Sequence, residues 1–464
     1  MDSQGDLPSL RGTIKLSAKT LLEDAWRRAQ DSINSRNQKV SKLKGYQDSE
    51  FPPTQFLGSY PAHISGAIWF DVKFYPYTKP GLDPVFAICG DYLVVICRCV
   101  LEKDRTIEIL HCFQDESKAI NEEHMKLNSI AWSQAENGDP LVCVAGSGTP
   151  EIKVLNVRTG RLVQTLAGHG DDILDLEISP TDPTVLASCS FDHSVRIWSL
   201  KPSHNEQPMA AICHGHGHKA QILTLSYHPK GRYLLSAGMD MKICLWAIPE
   251  DVQEHAGTDK LALIHYPHFS TTEVHTNFID CVQWYNDLIL SHAVQEDKII
   301  LWRIDQFNSN RTSTPEAPIP ISKKTNSRTT VTVLAHPASN TQSAWGGRFQ
   351  RLLQFDLTMI NGWYVRFSLF HQIGKHPILV VGDEKSNTFF WDLHRLEEKA
   401  IGDPFATIKA HKRIEVPKYM AFSFRHFDWS GDGQWCVGVG NSGMVNVFHR
   451  WENGIPPVTT DSRP

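Results

Sequence analysis

Serine, histidine and aspartate, the residue types of a hydrolytic triad, occur together in this chain as Ser188, His169 and Asp192. In such a triad the serine attacks an acyl carbon, the histidine takes the serine proton and the aspartate orients the histidine. A second set in the same order is Ser236, His218 and Asp240. An enzyme needs one nucleophile, whereas a repeated structural unit needs its anchors in every copy. We therefore expect these residues to be structural and the chain not to be an enzyme.

The elements that carry these residues are predicted to be short β-strands. Residues 174–178 alternate between apolar and acidic side chains, and two further short strands, 185–188 and 195–198, follow in the same repeat. In both repeats a tryptophan, Trp198 or Trp246, lies six residues after the acid. Units of four strands with Gly-His near the start and tryptophan near the end are typical blades of a WD-repeat β-propeller. In such a blade the carboxylate, histidine, serine and indole N–H form one chain of hydrogen bonds between strands.

Seven inner-strand signals of this kind can be counted along the 464 residues. The sequence therefore predicts an all-β fold, a seven-bladed WD-repeat β-propeller with an N-terminal helical arm. We place the propeller at 57–455, the arm at 1–56 and a tail at 456–464. Apolar residues spaced by three or four predict an amphipathic helix over about 20–37 within the arm.

Two other segments depart from the repeat. The last blade ends after three strands, because Pro456 and Pro457 follow almost at once, so we expect a strand from 57–66 to complete it. Residues 305–330 are rich in Asn, Ser, Thr, Pro and Lys. They have few apolar side chains and are predicted to form a flexible insert after the fifth blade.

The composition is that of a globular, intracellular protein. No apolar run reaches the length of a membrane span, and the first residues do not resemble a signal peptide. A net charge of −5 does not favour a broad phosphate-binding surface, so no sequence-specific nucleic acid is expected as a partner. One group resembles a metal site: Cys213, His214, His216 and His218. Because His218 already belongs to the repeat, we expect neither a metal nor a cofactor.

Longer stretches carry a more specific resemblance. They are HYPHFSTTEVHTNFIDCVQWYNDLILS (265–291), GHGDDILDLEISPTDPTVLASCSFDHSVRIWSL (168–200), GMDMKICLW (238–246) and GWYVRFS (362–368). These strings closely resemble the embryonic ectoderm development or extra sex combs family, the WD-repeat subunit of Polycomb repressive complex 2. The similarity extends over about 65–450 and leaves the arm and the 305–330 insert unmatched.

The resemblance implies a nuclear, non-catalytic reader of trimethylated lysine in histone tails. It also implies a scaffold that holds and stimulates a SET-domain histone methyltransferase, together with the other subunits of the complex. A quaternary ammonium cannot donate a hydrogen bond, so its recognition depends on aromatic faces. The family positions for this aromatic cage match Phe70, Trp363 and Tyr364, which open the inner strands of the first and sixth blades, so all three are expected to converge at one mouth of the channel.

Other family positions match less well. Asn128 stands where the family has a further cage tyrosine, which predicts weaker binding of trimethyl-lysine. Asp171 matches a family asparagine near the peptide, and its carboxylate could attract the cation. Arg366 is expected to support the cage and Arg425 to contact the peptide. The alternative function is a generic WD-repeat adaptor, such as a substrate receptor of a ubiquitin ligase, which would use the same face without a cage.

Overall fold

The chain folds into seven β-sheets arranged as the blades of a propeller. The computed structural model describes residues 7–15, 67–101, 106–115, 126–319, 340–357, 364–397, 407–415 and 422–450. The predicted all-β, seven-bladed architecture is confirmed. The helix predicted over 20–37 and the tail at 456–464 lie outside the described residues, so these two assignments stay predictions.

The strands follow one another from the inner to the outer edge of each blade. The first strand of the chain is β1 (Ser9–Lys15). Blades one and two contain β2 (Asp71–Phe74), β3 (Val85–Gly90), β4 (Leu93–Cys99), β5 (Ile107–Gln114), β6 (Leu127–Gln134), β7 (Pro140–Gly146), β8 (Glu151–Asn156) and β9 (Arg161–Ala167). Residues 173–304 provide β10 (Ile173–Ser179), β11 (Asp182–Ser190), β12 (Val195–Ser199), β13 (Met209–Cys213), β14 (Ile222–Tyr227), β15 (Tyr233–Gly238), β16 (Ile243–Ala247), β17 (Ala262–Ile264), β18 (Phe269–Thr271), β19 (Ile279–Tyr285), β20 (Leu288–Ala293) and β21 (Lys298–Ile304). The remaining strands are β22 (Gln342–Ser343), β23 (Phe349–Asp356), β24 (Ser368–Phe370), β25 (Ile378–Gly382), β26 (Asn387–Asp392), β27 (Thr407–Ile408), β28 (Lys412–Glu415), β29 (Phe424–Trp429), β30 (Trp435–Gly440) and β31 (Met444–His449).

Short helices lie between some strands. Among the residues that the structure describes, one α-helix, α1 (His394–Glu397), follows β26, and 3₁₀ turns are formed by Pro202–His204, Val252–His255 and Asn441–Gly443. None of the described helices is long and apolar enough to cross a membrane.

Seven inner strands, β2, β6, β10, β14, β19, β24 and β29, surround the central channel and contact one another in a ring. Polar side chains of one inner strand accept hydrogen bonds from backbone N–H groups of the next. Asp71 thus accepts from the N–H of Ile130 (2.9 Å), and Asp175 accepts from the N–H of Leu225 (2.9 Å). Between the last blade and the first, Asp428 accepts from the N–H of Phe74. These bonds fix the order and spacing of the blades around the channel.

Three successive blades each have a fifth strand at their outer edge, and the chain supplies it from the connection within the following blade. β17 pairs in parallel with β13 of blade three, and β27 pairs in parallel with β23 of blade five. β22 pairs antiparallel with β18 of blade four. Each of these blades is therefore linked to its successor by backbone hydrogen bonds as well as by the chain itself.

The last blade is completed by the N-terminal strand of the propeller. β1 pairs antiparallel with β31, from Ser9 opposite His449 to Lys15 opposite Met444, and Thr13 Oγ1 donates to Asn446 Oδ1 (2.7 Å). The prediction that 57–66 supplies the closing strand is wrong, because β1 occupies that edge of β31. The predicted boundary at residue 57 consequently leaves out part of the propeller. No local pattern could reveal a pairing between the two ends of the chain.

The insert predicted to follow blade five lies within that blade, between β21 and β23, so its predicted place is wrong. The insert is packed in its first part. The ring of Phe307 lies 5.5 Å from that of Trp284 and 5.0 Å from that of Trp345, between centroids, and the N–H of Ser309 donates to Asp287 (3.1 Å). The expectation that this segment has too few apolar residues to pack is wrong for 305–314, since a single phenylalanine fills an aromatic cluster. Residues 320–330 lie outside the described residues.

The hydrogen-bond chain of the repeat is present in blade three. Trp198 Nε1 donates to Ser188 Oγ (2.8 Å), Ser188 Oγ contacts His169 Nε2 (2.7 Å), and His169 Nδ1 contacts Asp192 (2.8 Å). Because the serine accepts from the indole, its own proton is directed to the histidine, which in turn donates to the carboxylate. The same bonds join Trp246, Ser236, His218 and Asp240 in blade four, and Trp302, Ser291, His275 and Glu296 in blade five.

These serines are enclosed. Ser188, Ser236 and Ser291 have no exposed surface, so none of them can attack a substrate. The three side chains are therefore arranged as in a triad, but no substrate can reach the serine. Their hydrogen bonds satisfy polar groups that are buried beside the blade tryptophans.

Substitution of the turn acids is expected to lower stability. Asp192→Ala and Asp240→Ala each leave a buried histidine N–H without its acceptor, which should reduce the free energy of unfolding by about 1 to 3 kcal/mol. Chemical denaturation of each variant measures this loss. Asp259→Ala, which removes an exposed acid, is the matched control and should unfold like the wild type. An Asp192→Ala variant as stable as this control would contradict the structural role.

Candidate functional site

Phe70 and Tyr364 lie together at one mouth of the central channel. Phe70 directly precedes β2 and Tyr364 precedes β24, and their ring centroids are 6.4 Å apart in an edge-to-face arrangement. Partly buried apolar side chains pack against the same cluster: Phe191, Met239 and Phe278. Sequence reasoning missed these three, although each lies next to an inner strand or to the strand paired with it. The mouth is thus lined by aromatic and apolar groups that could surround a cation whose surface consists of methyl groups.

Tyr364 is held in an unusual conformation. Its φ of 61° lies in the left-handed region, which a bulky residue seldom adopts unless its surroundings impose it. Its hydroxyl donates to the carbonyl of Leu174 (2.9 Å) and accepts from Nη2 of Arg366 (2.7 Å). The guanidinium carbon of Arg366 also lies 4.6 Å from the centre of the Tyr364 ring. The position of this ring is therefore determined by neighbours in blade three and by Arg366.

Arg366 is itself a buried centre of contacts. Nη1 donates to Asp175 Oδ1 (3.0 Å), and Nη2 donates to the carbonyl of Leu223 (2.9 Å) as well as to Tyr364. Its side chain is almost fully enclosed. The arginine thus joins blade six to blades three and four and contacts Tyr364 of the aromatic pair.

A group of charged side chains continues from Arg366 into the channel. It lines a polar cavity of about 60 Å³ and includes Lys73, Asp175, Glu177, His426 and Asp428. Burial raises the pKa of Glu177 to about 8 and that of Asp428 to about 6. Burial would also raise the pKa of Asp71, but the contact with Nδ1 of His426 (2.6 Å) holds it well below its usual range. The acids are therefore not all ionised together, which limits the repulsion inside the channel.

Asn128 and Asp171 occupy different places relative to the aromatic pair. Asn128 Nδ2 donates to the carbonyl of Ile173 (3.4 Å), next to the carbonyl that holds Tyr364, so Asn128 lies beside the pocket. Asp171 is exposed near the start of β10, and its carboxylate accepts from the N–H of Asp172 (2.7 Å). Asn128 therefore lies next to the chain segment that holds Tyr364, whereas Asp171 is exposed to solvent.

Two cations lie over the Phe70 ring. The guanidinium carbon of Arg425 is 5.9 Å and Nζ of Lys126 is 5.7 Å from the ring centroid. Arg425 Nε also donates to Asn441 Oδ1 (3.1 Å), and burial lowers the pKa of its guanidinium. Arg425, predicted from the sequence to contact the peptide, thus lies beside Phe70, and Lys126, which was missed, lies over the same ring.

The remaining candidates are placed as follows. Trp363 lies outside the described residues. In the group whose residue types resemble a metal site, His218 is hydrogen-bonded to Ser236 and Asp240, and Cys213 is buried. In the described part of the chain, no group of three His, Cys, Asp or Glu side chains has an arrangement that could hold a metal ion.

Comparison with known proteins identifies similar chains. The family model for the WD domain, G-beta repeat, matches residues 160–199 and 210–247. Polycomb protein EED of Chaetomium thermophilum is 42% identical over 341 residues, which cover 72% of this chain and 58% of that protein. This chain therefore spans less than two thirds of the length of that relative. Polycomb protein esc of Drosophila melanogaster is 25% identical over 393 residues, 80% of this chain and 81% of the relative.

Chains in solved structures of a polycomb repressive complex 2 are also similar to this chain. A chain in the crystal structure of the Chaetomium thermophilum polycomb repressive complex 2 superposes with a TM-score of 0.76 at 31% identity, covering 97% of this chain and 99% of that one. A chain in the structure of the same organism's complex with H3K27me3 superposes with a TM-score of 0.77 at 30% identity, covering 98% and 100%.

Proposed function

Because the chain belongs to the family of the Polycomb proteins EED and esc, we propose that it is a non-catalytic subunit of Polycomb repressive complex 2 that binds trimethylated lysine of histone tails. In this role it also holds and stimulates a SET-domain histone methyltransferase and contacts the other subunits of the complex. The protein acts in the nucleus. The observation that carries the reader function is the aromatic pair of Phe70 and Tyr364 at the channel mouth.

The chemistry of the mouth supports this proposal. A trimethylammonium group has no N–H to donate, so it is recognised by contact with aromatic faces and apolar atoms. Tyr364 is fixed by Arg366 and by the carbonyl of Leu174, which keeps the ring in place before the ligand arrives. Trp363, adjacent in sequence, is proposed as the third aromatic wall. Arg425, at the same mouth, is proposed to contact the peptide backbone on either side of the lysine.

A second candidate is an adaptor that recognises proteins without regard to lysine methylation. One observation favours it: the residue beside the aromatic pair at this position is Asn128, whose amide donates to the carbonyl of Ile173 and offers no aromatic face. The methyltransferase is proposed to bind the opposite face of the propeller in either case, so a change at the mouth should leave that partner bound. The two candidates differ in whether methylation of the peptide changes its affinity.

Phe70→Ala is expected to weaken binding of a trimethylated histone-tail peptide by about five- to thirtyfold, because one aromatic face is lost. Asn128→Tyr should strengthen it by adding a face. Isothermal titration of the full chain with a set of trimethylated and unmodified histone-tail peptides measures both effects. Phe349→Ala, which removes a partly buried phenylalanine from the outer strand β23, is the matched control and should bind like the wild type. Equal affinity for both peptide forms would exclude the reader and leave the adaptor.

A further inference from the structure

The aromatic face of Phe70 is covered by positive charge from within the chain. Nζ of Lys126 and the guanidinium carbon of Arg425 lie 5.7 Å and 5.9 Å from the ring centroid, within the distance at which a cation is attracted to an aromatic face. A methylated lysine bound to the same ring would therefore have to enter a place where cations of the protein are already held.

The two cations differ in how they are fixed. Arg425 is tied to Asn441 by its Nε, and its carbonyl accepts from the N–H of Arg366 (2.8 Å). Lys126 is fixed through its backbone, whose N–H donates to Ser147 Oγ (2.9 Å) and whose carbonyl accepts from the N–H of Ser147 (2.8 Å). Across the described residues, Nζ of Lys126 donates no hydrogen bond. Its long, flexible stem can therefore move the ammonium while the backbone stays in place.

An acid next to Lys126 offers the ammonium a second position. The side chain of Asp91 accepts from the backbone N–H of Ile68 (3.2 Å), and its carbonyl accepts from the N–H of Leu127 (2.7 Å). Asp91 is therefore bonded to the segments that carry Phe70 and Lys126. Burial raises the pKa of Asp91, while the charge of Lys126 partly offsets this. Movement of the ammonium from the ring toward this carboxylate would free the face of Phe70 without leaving the lysine charge unbalanced.

We propose that Lys126 is an internal competitor for the aromatic pocket, and that its ammonium must leave the Phe70 ring before a methylated lysine can bind there. This inference rests on the proposed reader function and adds a residue that sets its affinity. The apparent affinity is reduced by the fraction of molecules in which the ring is free. A modification that removes the charge of Lys126, such as acylation of its amine, would accordingly increase affinity for the methylated tail.

Titration of the full chain with a trimethylated histone-tail peptide tests the competition. Lys126→Gln is expected to bind about three- to sixfold more tightly than the wild type, given the usual strength of an exposed cation–π contact. Lys126→Arg, which keeps a cation over the ring, should bind like the wild type. Lys260→Gln removes the same charge from an exposed position and is the control for a general electrostatic effect. Unchanged or weaker binding by Lys126→Gln, or an equal gain in Lys260→Gln, would overturn the proposal.

A measurement without peptide separates this inference from the reader function. In nuclear magnetic resonance spectra of isotope-labelled lysine, the side-chain signal of Lys126 should be shifted upfield by the ring current of Phe70, and Phe70→Leu should remove the shift. If the wild type shows no such shift, Lys126 does not contact the Phe70 ring in solution, and the proposed competition is wrong even if methylated peptides bind. If the shift is present but no variant distinguishes methylated from unmodified peptide, the reader function fails, and the competition fails with it.

Discussion

Replacing Arg366 by methionine is expected to lower the free energy of unfolding by about 3 to 5 kcal/mol, because removal of one member of a buried ion pair leaves the other charge without compensation. The carboxylate of Asp175, 3.0 Å from Nη1, would lose its cation in a site closed to water. The carbonyl of Leu223 and the hydroxyl of Tyr364 would each lose a donor as well. Because methionine is an unbranched side chain that can occupy much of the same space, the loss of unfolding free energy is mainly electrostatic.

Denaturant unfolding of the variant measures this loss. Arg303→Met, an exposed arginine on β21, is the control and should stay within about 0.5 kcal/mol of the wild type. In the double variant Arg366→Met with Asp175→Asn, part of the stability should return, because the uncompensated charge is gone. An Arg366→Met protein as stable as the Arg303→Met control would mean that the arginine does not balance the channel acids.

Removal of residues 1–15 is expected to destabilise the propeller by roughly 4 kcal/mol or more, because burial of one leucine and several hydrogen bonds are lost together. Leu7 is buried beside blades six and seven, and β1 pairs with β31 along its whole length. The exposed edge of β31 would then be open to pairing with a second molecule. We expect the shortened protein to unfold at lower denaturant concentration and to self-associate.

Unfolding curves and the molecular mass in solution test this expectation. A protein that lacks only residues 1–6 keeps β1 and serves as the comparison; it should remain monomeric with nearly the wild-type midpoint. If the chain without residues 1–15 is monomeric and equally stable, β1 is dispensable and the ring is closed by its inner strands alone.

The blade architecture was predictable because its signals are local. Trp198 and Asp192 lie within one repeat, and the same arrangement recurs in the next two blades, so a short window of sequence contains the whole hydrogen-bond chain. The aromatic pair was found in another way, through the resemblance of the residues around Tyr364 to a known family. Alternation along β10 predicted which side chains share a face, but not that Asp175 on the polar face would also be buried.

Other features have no local signal. β17, β22 and β27 contain two or three residues each, too few for any periodicity, and their pairing depends on strands from another blade. The closing strand β1 pairs with residues near the other end of the chain, so a choice between it and 57–66 could not be made from pattern alone. Lys126 was missed for a similar reason, because its position over Phe70 depends on two strands coming together.

The pairing of β1 with β31 also determines when the protein can be finished during its synthesis. As the chain leaves the ribosome, β1 emerges first, and its partner is made only when translation reaches 444–449. At ordinary rates of translation this interval is on the order of tens of seconds. Blades three, four and five likewise remain incomplete until their fifth strands at 262–264, 342–343 and 407–408 have been synthesised. The nascent chain therefore carries open sheet edges until its last blade is made, and shielding by ribosome-associated chaperones should increase the yield of closed rings.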